Sequence, residues 1–130
     1  RLLLTVESLM HTGEKNPKVS INVNIEEIIK ELTAKSMGGV SVIGDQNNLV
    51  GFITDGDVRR SIPKIRSGYE IRAEDLMSKN PVTVNYKTKA YEALKLMEDR
   101  ERQISALPVV NDDSELIGIL RLHDLLNAGF

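Results

Sequence analysis

The stretch GFITDGDVRR, from Gly51 to Arg60, passes from an apolar, β-rich run to a hydroxyl, a glycine and two carboxylates. Thr, Asp and Gly are residues that a helix N-terminus prefers, so the stretch predicts a strand that runs directly into a helix. A similar sequence, GILRLHDLL, begins at Gly118. These two junctions decide the fold, because the rest of the chain repeats with them.

The repeat has a constant spacing. Leu9-Met10 recurs as Leu76-Met77, and Asp57 recurs as Asp124, in each case 67 positions later. The middle helices align with a slightly shorter offset, because the loops before them differ in length. A fixed period of this kind is typical of a duplicated structural unit. We place the first copy at residues 1–67 and the second at residues 68–130.

Each copy predicts the element order β-α-β-β-α. Period-2 alternation predicts strands and apolar residues at helical spacing predict helices. The predicted strands are 19–23, 40–43, 49–53, 82–84, 107–110 and 116–120, and the middle helices are 25–34 and 90–99. The last helix of each copy is expected to begin near Gly56 or Asp57, and near His123 or Asp124. One such copy is too small to be stable alone, so we expect an α+β fold of two copies packed with pseudo-two-fold symmetry.

Composition narrows the function classes. The net charge of −2 and the pI near 5.7 give no general attraction to nucleic acid or to an anionic membrane. The absence of Cys excludes disulfides and cysteine nucleophiles. The two histidines, His11 and His123, lie in different halves of the sequence, so we expect no zinc site. The chain begins with Arg1 and shows no signal peptide, so we expect a piece of a larger, cytoplasmic protein.

The first junction has the chemistry of a nucleotide site. A Thr54 hydroxyl can donate to a phosphate, and an Asp57 carboxylate can accept both protons of a ribose cis-diol. A base needs an apolar slot, which Val19 and Val40 can line. The alternative is an ordinary helix cap. The recurrence of the motif in register favours ligand binding.

The second junction differs at one position. Arg121 can hold a phosphate or a carboxylate, or it can fill the cavity and close it. His123 can sense pH or contact a ligand, or it can simply face solvent, and Arg59 and Arg60 can approach a phosphate or belong to a solvated helix face. The candidate ligand-binding residues are therefore Thr54, Asp55, Asp57, Arg59, Arg60, Val19, Val40, Val82, Thr83, Leu107, Pro108, Arg121, His123 and Asp124. The sequence offers no catalytic pair and no metal ligands.

The two copies resemble tandem CBS (cystathionine-β-synthase) domains, the pair called a Bateman module. The family signature is Gly-hydrophobic-hydrophobic-Thr/Ser-x-x-Asp, and Gly51 to Asp57 match it in full. The second copy keeps Gly118 and Asp124 but has Arg121 at the hydroxyl position. The resemblance implies a regulatory module that binds a nucleotide, commonly of adenine.

The stretches LMHTG at Leu9 and HDLLNAG at His123 are similar to the C-terminal CBS pair of bacterial arabinose 5-phosphate isomerases. That resemblance implies an N-terminal sugar isomerase (SIS) domain and a place in the synthesis of Kdo (3-deoxy-manno-octulosonate) for lipopolysaccharide. It suggests CMP-Kdo as a nucleotide-sugar feedback ligand, with an adenine nucleotide as the alternative. We expect no catalytic cofactor and no activity in this chain itself.

The resemblance also implies assembly. CBS pairs commonly associate as homodimers through their helices, and such pairing would make a tetramer of the parent enzyme. A purely structural module without a ligand is therefore a further hypothesis, and it differs from the regulatory one only in whether a ligand binds. We expect neither nucleic acid nor a membrane as a partner.

Overall fold

A computed structural model describes residues 3–130 of the chain as a mixture of helices and short strands. The helices are α1 (Val6–Leu9), α2 (Ile25–Lys35), α3 (Asp55–Arg66), α4 (Ala73–Leu76), α5 (Ala90–Glu98) and α6 (Leu122–Asn127). The strands are β1 (Lys18–Ser20), β2 (Gly39–Ile43), β3 (Leu49–Thr54), β4 (Ser78–Lys79), β5 (Val84–Asn85), β6 (Ala106–Val110) and β7 (Leu116–Arg121). The predicted α+β fold and the repeated β-α-β-β-α order are confirmed.

The chain divides into two compact units. The central unit is Pro17–Pro81, and the terminal unit combines the residues up to Asn16 with Val82–Phe130. The central unit has the sheet order β1-β2-β3-β4, in which β1 is parallel to β2 and the other neighbours are antiparallel. The terminal unit has the order β5-β6-β7 with the same directions. A backbone bridge from His11 to Ile119 takes the place that β4 has in the central unit.

The segments that lead into the two copies are exchanged between the units. β4 pairs with β3 of the first copy, and the Ala73 N–H at the start of α4 donates to the Val23 carbonyl at 3.0 Å. In the terminal unit, the Val6 N–H donates to the Thr88 carbonyl at 2.8 Å. Each Leu-Met segment therefore completes the unit built by the other copy. The boundaries 1–67 and 68–130 stay a prediction about the duplicated sequence, and the compact units do not follow them.

This exchange changes the placement of the histidines. His11 and His123 lie in different halves of the sequence, but both belong to the terminal unit. The reason is that His11 pairs with Ile119 on the edge of β7, which is far from it in sequence.

Local sequence explains the elements. Ile28 and Leu32 bury one face of α2, and the Asn24 side chain caps this helix by accepting from the Glu27 N–H at 3.0 Å. Ile29, which the pattern placed on the same face, is 44% exposed at the edge of the stripe. In α5, Met97 is fully buried with the alanines of the same face.

Some boundaries differ from the prediction. β1 ends at Ser20 because the chain turns at Ile21 and Asn22, and β5 begins only at Val84. α3 and α6 begin at Asp55 and Leu122, one or two residues earlier than expected, because the junction residue itself is the N-cap. These shifts place Thr54 and Arg121 at equivalent positions, each at the last residue of a strand.

Candidate functional site

In the central unit the junction forms a capping box. The Asp57 N–H donates to the Thr54 hydroxyl oxygen at 3.3 Å, and Oδ2 of Asp57 accepts from the Thr54 N–H at 2.9 Å. The Thr54 hydroxyl is also 3.1 Å from the same Oδ2, to which it can donate. The helix-cap interpretation of this motif is therefore confirmed. A cap does not exclude ligand binding, because one carboxylate oxygen remains for other partners.

The second carboxylate oxygen of Asp57 contacts an exposed arginine side chain. Oδ1 accepts from Nη2 of Arg60 at 2.6 Å. The Arg60 side chain is 66% exposed, whereas that of Asp57 is 17% exposed. An exposed ion pair between residues one helical turn apart contributes little to stability, so a ligand can displace the guanidinium at a small cost in free energy. Asp55 and Arg59 are exposed in the first turns of α3.

The predicted slot residues of the central unit are core residues. Val19 is 8% exposed and Val40 is fully buried, and both belong to the hydrophobic cluster of this unit. Val19 also lines a groove of about 520 Å³ between β1 and α2, together with charged residues such as Lys30 and Glu31. Neither Thr54 nor Asp57 lines that groove, so it is separate from the predicted site. The role of both valines in ligand binding stays a prediction.

In the terminal unit the equivalent carboxylate is enclosed. Oδ2 of Asp124 accepts from the backbone N–H of Arg121 at 2.9 Å and from its Nε at 3.2 Å. Oδ1 accepts from Nη2 of Arg121 at 2.8 Å and lies 2.9 Å from Nε2 of His11. The exposed fractions of the side chains are 10% for Asp124, 26% for Arg121 and 24% for His11. Both oxygens therefore have partners within the unit.

The electrostatics of this cluster follow from its contacts. Burial acts to raise the pKa of the Asp124 carboxyl, but the hydrogen bonds from Arg121 and His11 outweigh it and hold the pKa below its ordinary value. The ionised form is thus the form that the fold favours. The Arg121 guanidinium thus binds a carboxylate of its own chain, and its role toward a ligand stays a prediction.

The other predicted residues of the terminal unit lie at varying depth. Leu107 and Pro108 are buried within β6, and Val82 and Thr83 are half-buried ahead of β5. His123 is exposed, with its Nε2 at 3.0 Å from Nδ2 of Asn127. The junction carboxylate, by contrast, contacts Arg121 and His11.

His11 is the residue that sequence reasoning missed. It lies 113 positions from Asp124, so no local motif joins the two. The repeat spacing offers one signal, because His11 is 67 positions before Ser78 and Ser78 lies in β4 beside the first junction. The chemical difference between His11 and Ser78 therefore distinguishes the two junctions.

Metal-binding clusters and membrane-spanning helices are both absent from the described residues. Within residues 3–130, no group of three or more His, Cys, Asp and Glu side chains is placed to hold a metal ion. Over the same range, every helix is too short or too polar to cross a membrane.

The fold and the duplicated junction define a class of protein. The CBS domain model matches residues 6–64 and again residues 73–130, and the chain belongs to this family. Two solved structures share the fold. CBSX2 in complex with AMP has 27% sequence identity and a TM-score of 0.79, with 96% of this chain and 95% of that chain covered. The CBS pair of MJ0100, with 5′-methylthioadenosine and S-adenosyl-L-methionine, has 21% identity and a TM-score of 0.84 over 97% and 95% of the chains.

The relatives narrow the class further. The chain is 39% identical, over 99% of its length, to arabinose 5-phosphate isomerase KdsD of Pseudomonas aeruginosa. It is 36% identical to KdsD of Escherichia coli K12, again over 99% of its length. It spans only 39% and 38% of the length of these two relatives. The predicted resemblance to the CBS pair of this isomerase family is therefore confirmed.

Proposed function

We propose that this chain is the regulatory ligand-binding region of a D-arabinose 5-phosphate isomerase and that it binds a nucleotide or nucleotide-sugar. The observation that carries the proposal is the first junction, where β3 ends at Thr54 and the half-buried Asp57 carboxylate in the first turn of α3 is held in place by a capping box. Asp57 keeps one oxygen on the cap, and its other oxygen holds only an exposed arginine. Displacement of Arg60 offers that oxygen to a ribose hydroxyl.

CMP-Kdo is the ligand that we favour within this proposal. The similarity to KdsD supports a role in Kdo synthesis, and an activated sugar late in that synthesis is chemically suited to feedback. The two hydroxyl groups of its cytidine ribose can donate hydrogen bonds to the Asp57 carboxylate, and its negative charges can pair with Arg59 and Arg60. Regulation requires that the ligand bind two arrangements of the protein unequally.

An adenine nucleotide is the second candidate. CBSX2, which is 27% identical, was solved in complex with AMP, and this observation supports adenosine compounds as the alternative. The junction chemistry does not separate the two, because both nucleosides carry the same ribose diol. The ligand-binding residues remain those predicted from the sequence.

A structural role is the third candidate and is compatible with the other two. Ile29, Ile62 and Leu126 are exposed apolar residues on three different helices, with exposed fractions of 44%, 40% and 51%. Single exposed apolar residues do not by themselves make an interface. From the resemblance to CBS pairs we include in the proposal a homodimer through the helices and, for the parent, a tetramer with its SIS isomerase domain. We place the parent enzyme in the cytoplasm, where sugar phosphates and nucleotide-sugars are made.

The test is thermal unfolding with CMP-Kdo, CMP, AMP, ADP, ATP and S-adenosylmethionine, one at a time. A ligand at about 100 times its Kd stabilises the fold by about 2.7 kcal/mol, which is a shift of several degrees at this size. A shift with CMP-Kdo alone supports feedback sensing. A shift with adenosine compounds supports the second candidate, and no shift with any of them contradicts ligand binding and leaves assembly.

The variant Asp57→Ala tests the site. We expect at least a tenfold loss of affinity, about 1.4 kcal/mol, for the ligand found above. Loss of the cap itself costs about 1 kcal/mol of stability, so the protein stays folded. The matched control is Asp75→Ala in α4, because Oδ2 of Asp75 likewise accepts from the Arg72 N–H at 2.8 Å outside the junction. Equal affinities of D57A and D75A for the ligand would remove the site assignment.

A further inference from the structure

The two junctions bind their own chain to different degrees. Asp57 contacts one arginine, Arg60, which projects from the helix and is largely exposed. Asp124 contacts Arg121, which is the last residue of β7 and reaches both carboxylate oxygens through its backbone N–H, Nε and Nη2. The second arginine is thus bidentate and mostly buried, and bidentate pairs are stronger than single contacts between exposed groups.

His11 reinforces the closed arrangement. Its Nε2 lies 2.9 Å from Oδ1 of Asp124 and 3.4 Å from Nη2 of Arg121. The backbone of His11 is also fixed, because it exchanges two hydrogen bonds with Ile119 at 2.9 and 3.0 Å. The imidazole therefore covers the carboxylate from a segment that cannot move independently of β7.

A ribose diol needs the same oxygens. Two hydroxyl groups of a cis-diol donate to a carboxylate, and at Asp124 the donors already present are a guanidinium and an imidazole of the same chain. The internal donors carry no cost of association, whereas a free ligand loses translational and rotational freedom on binding. A charged donor also binds a carboxylate more strongly than a neutral hydroxyl does.

We infer that Arg121, supported by His11, closes the second junction to a nucleotide, so that the chain binds one nucleotide and binds it at the first junction. The inference rests on the proposed function and adds to it the number and the place of the sites. Arg121 is the determining residue, because the equivalent position in the central unit is Thr54, whose hydroxyl leaves the outer oxygen of Asp57 accessible.

The experiment is isothermal titration of the 130-residue chain with AMP and, separately, with CMP-Kdo. We expect a stoichiometry of one per chain for the compound that binds. No binding of either compound to the wild type contradicts the proposed function. A stoichiometry of two leaves that function in place and overturns the inference.

Two reciprocal variants then test the determinant. In Arg121→Thr we expect two nucleotides per chain, one more than in the wild type. In Thr54→Arg we expect the wild-type site to weaken by at least about tenfold, because the new guanidinium can bind Asp57 as Arg121 binds Asp124. Circular dichroism and a cooperative thermal transition establish that each variant is folded.

The outcomes are distinct. An unchanged stoichiometry in a folded R121T overturns the inference, because removal of the arginine then does not make the second junction accessible to a nucleotide. If R121T does not fold, T54R decides alone, and full retention of affinity in T54R overturns it. The combined variant T54R/R121T is expected to keep a single site, transferred to Asp124, and its loss by the further change Asp124→Ala identifies the position.

Discussion

At the scale of single residues, the two junction aspartates show how neighbours decide what a carboxylate does. Asp57 and Asp124 are equivalent in the repeat, and both accept from the backbone N–H three residues earlier. The difference lies in the second oxygen, which meets an exposed arginine in one case and an arginine with a histidine in the other. Both carboxylates therefore bind their own chain, but the outer oxygen of Asp57 meets a largely exposed side chain, whereas that of Asp124 meets two partly buried ones.

The lowered pKa of Asp124 predicts a dependence of stability on pH. A carboxyl whose pKa is lower in the folded than in the unfolded state, where it is near 3.8, stabilises the fold above that pH. This contribution is lost as the pH falls through the folded pKa. We therefore expect Asp124→Asn to have a free energy of unfolding about 1 to 2 kcal/mol lower than the wild type at pH 7, measured by urea unfolding. Between pH 5 and 3 the stability of the variant should fall less than that of the wild type, because the variant has no carboxyl to protonate at this position.

The comparison for that variant is Asp112→Asn. The pKa of Asp112 is also lowered, chiefly by its hydrogen bond from Lys87, but both side chains of the pair are 59% exposed. Solvent screens such a pair, so D112N should change the fall in stability at acidic pH less than D124N does. If the stability of D124N falls between pH 5 and 3 as much as that of the wild type, the role assigned to the Asp124 cluster is contradicted.

A buried hydroxyl gives a second prediction at this scale. Ser41 in β2 is fully buried, and its Oγ finds no hydrogen-bond partner among the described residues. The equivalent position of the second copy is Pro108, an apolar residue. Since an unpaired buried hydroxyl is destabilising, we expect Ser41→Ala to range from neutral to about 1 kcal/mol more stable.

The matched control for Ser41 is Ser61→Ala in α3. Ser61 is 5% exposed, and its hydroxyl donates to the Val58 carbonyl at 2.6 Å, so alanine removes a bond there. Urea unfolding should rank S41A above S61A in stability. The reverse order would show that Ser41 has a partner of its own.

At the scale of elements, periodicity predicted what depends on nearby residues. The helix α2 and the hairpin strands β2 and β3 have their patterns within one short stretch of sequence, and the structure confirms them. The helix cap at Thr54 was likewise readable, because its partner is three residues away. The pairing of His11 with Ile119 could not be predicted, because the local sequence of an edge segment does not indicate which sheet it joins. The same limit hid the contact of His11 with Asp124.

The close packing of that edge predicts the effect of a single methyl group. A Cβ added at Gly118 in β7 would lie 2.8 Å from the backbone oxygen of His11, which cannot move without breaking its pairing with Ile119. We expect Gly118→Ala to destabilise the protein by about 1 to 3 kcal/mol. The measurement is thermal or urea unfolding, with hydrogen exchange at the Ile119 amide as a local readout.

Gly56→Ala is the control for this prediction. A Cβ at Gly56 would meet only the guanidinium end of Arg60, at 3.1 Å, and that end can move. Alanine also has the higher helix propensity, so G56A should be as stable as the wild type or slightly more stable. A G118A variant as stable as G56A would show that the N-terminal segment pairs loosely with β7.

At the scale of the whole molecule, the exchanged segments predict which piece of the chain folds. The fragment 17–81 contains the complete central unit, including β4, α4 and the fully buried Ala73. The fragment 1–67 has nearly the same length, but it lacks α4 and leaves the Gly51–Phe52 edge of β3 unpaired. Removal of a core segment and exposure of a sheet edge both disfavour a stable fold.

We therefore expect the fragment 17–81 to be less stable than the whole chain but more stable than the fragment 1–67, which we expect to be largely unfolded. Circular dichroism during urea titration measures this, and size-exclusion chromatography excludes association as the source of stability. Adding a peptide of residues 68–81 to the fragment 1–67 should restore ordered structure, because it supplies α4 and β4 in trans. Higher stability of 1–67 than of 17–81 would mean that the continuous repeat, and not the exchanged unit, is the element that folds.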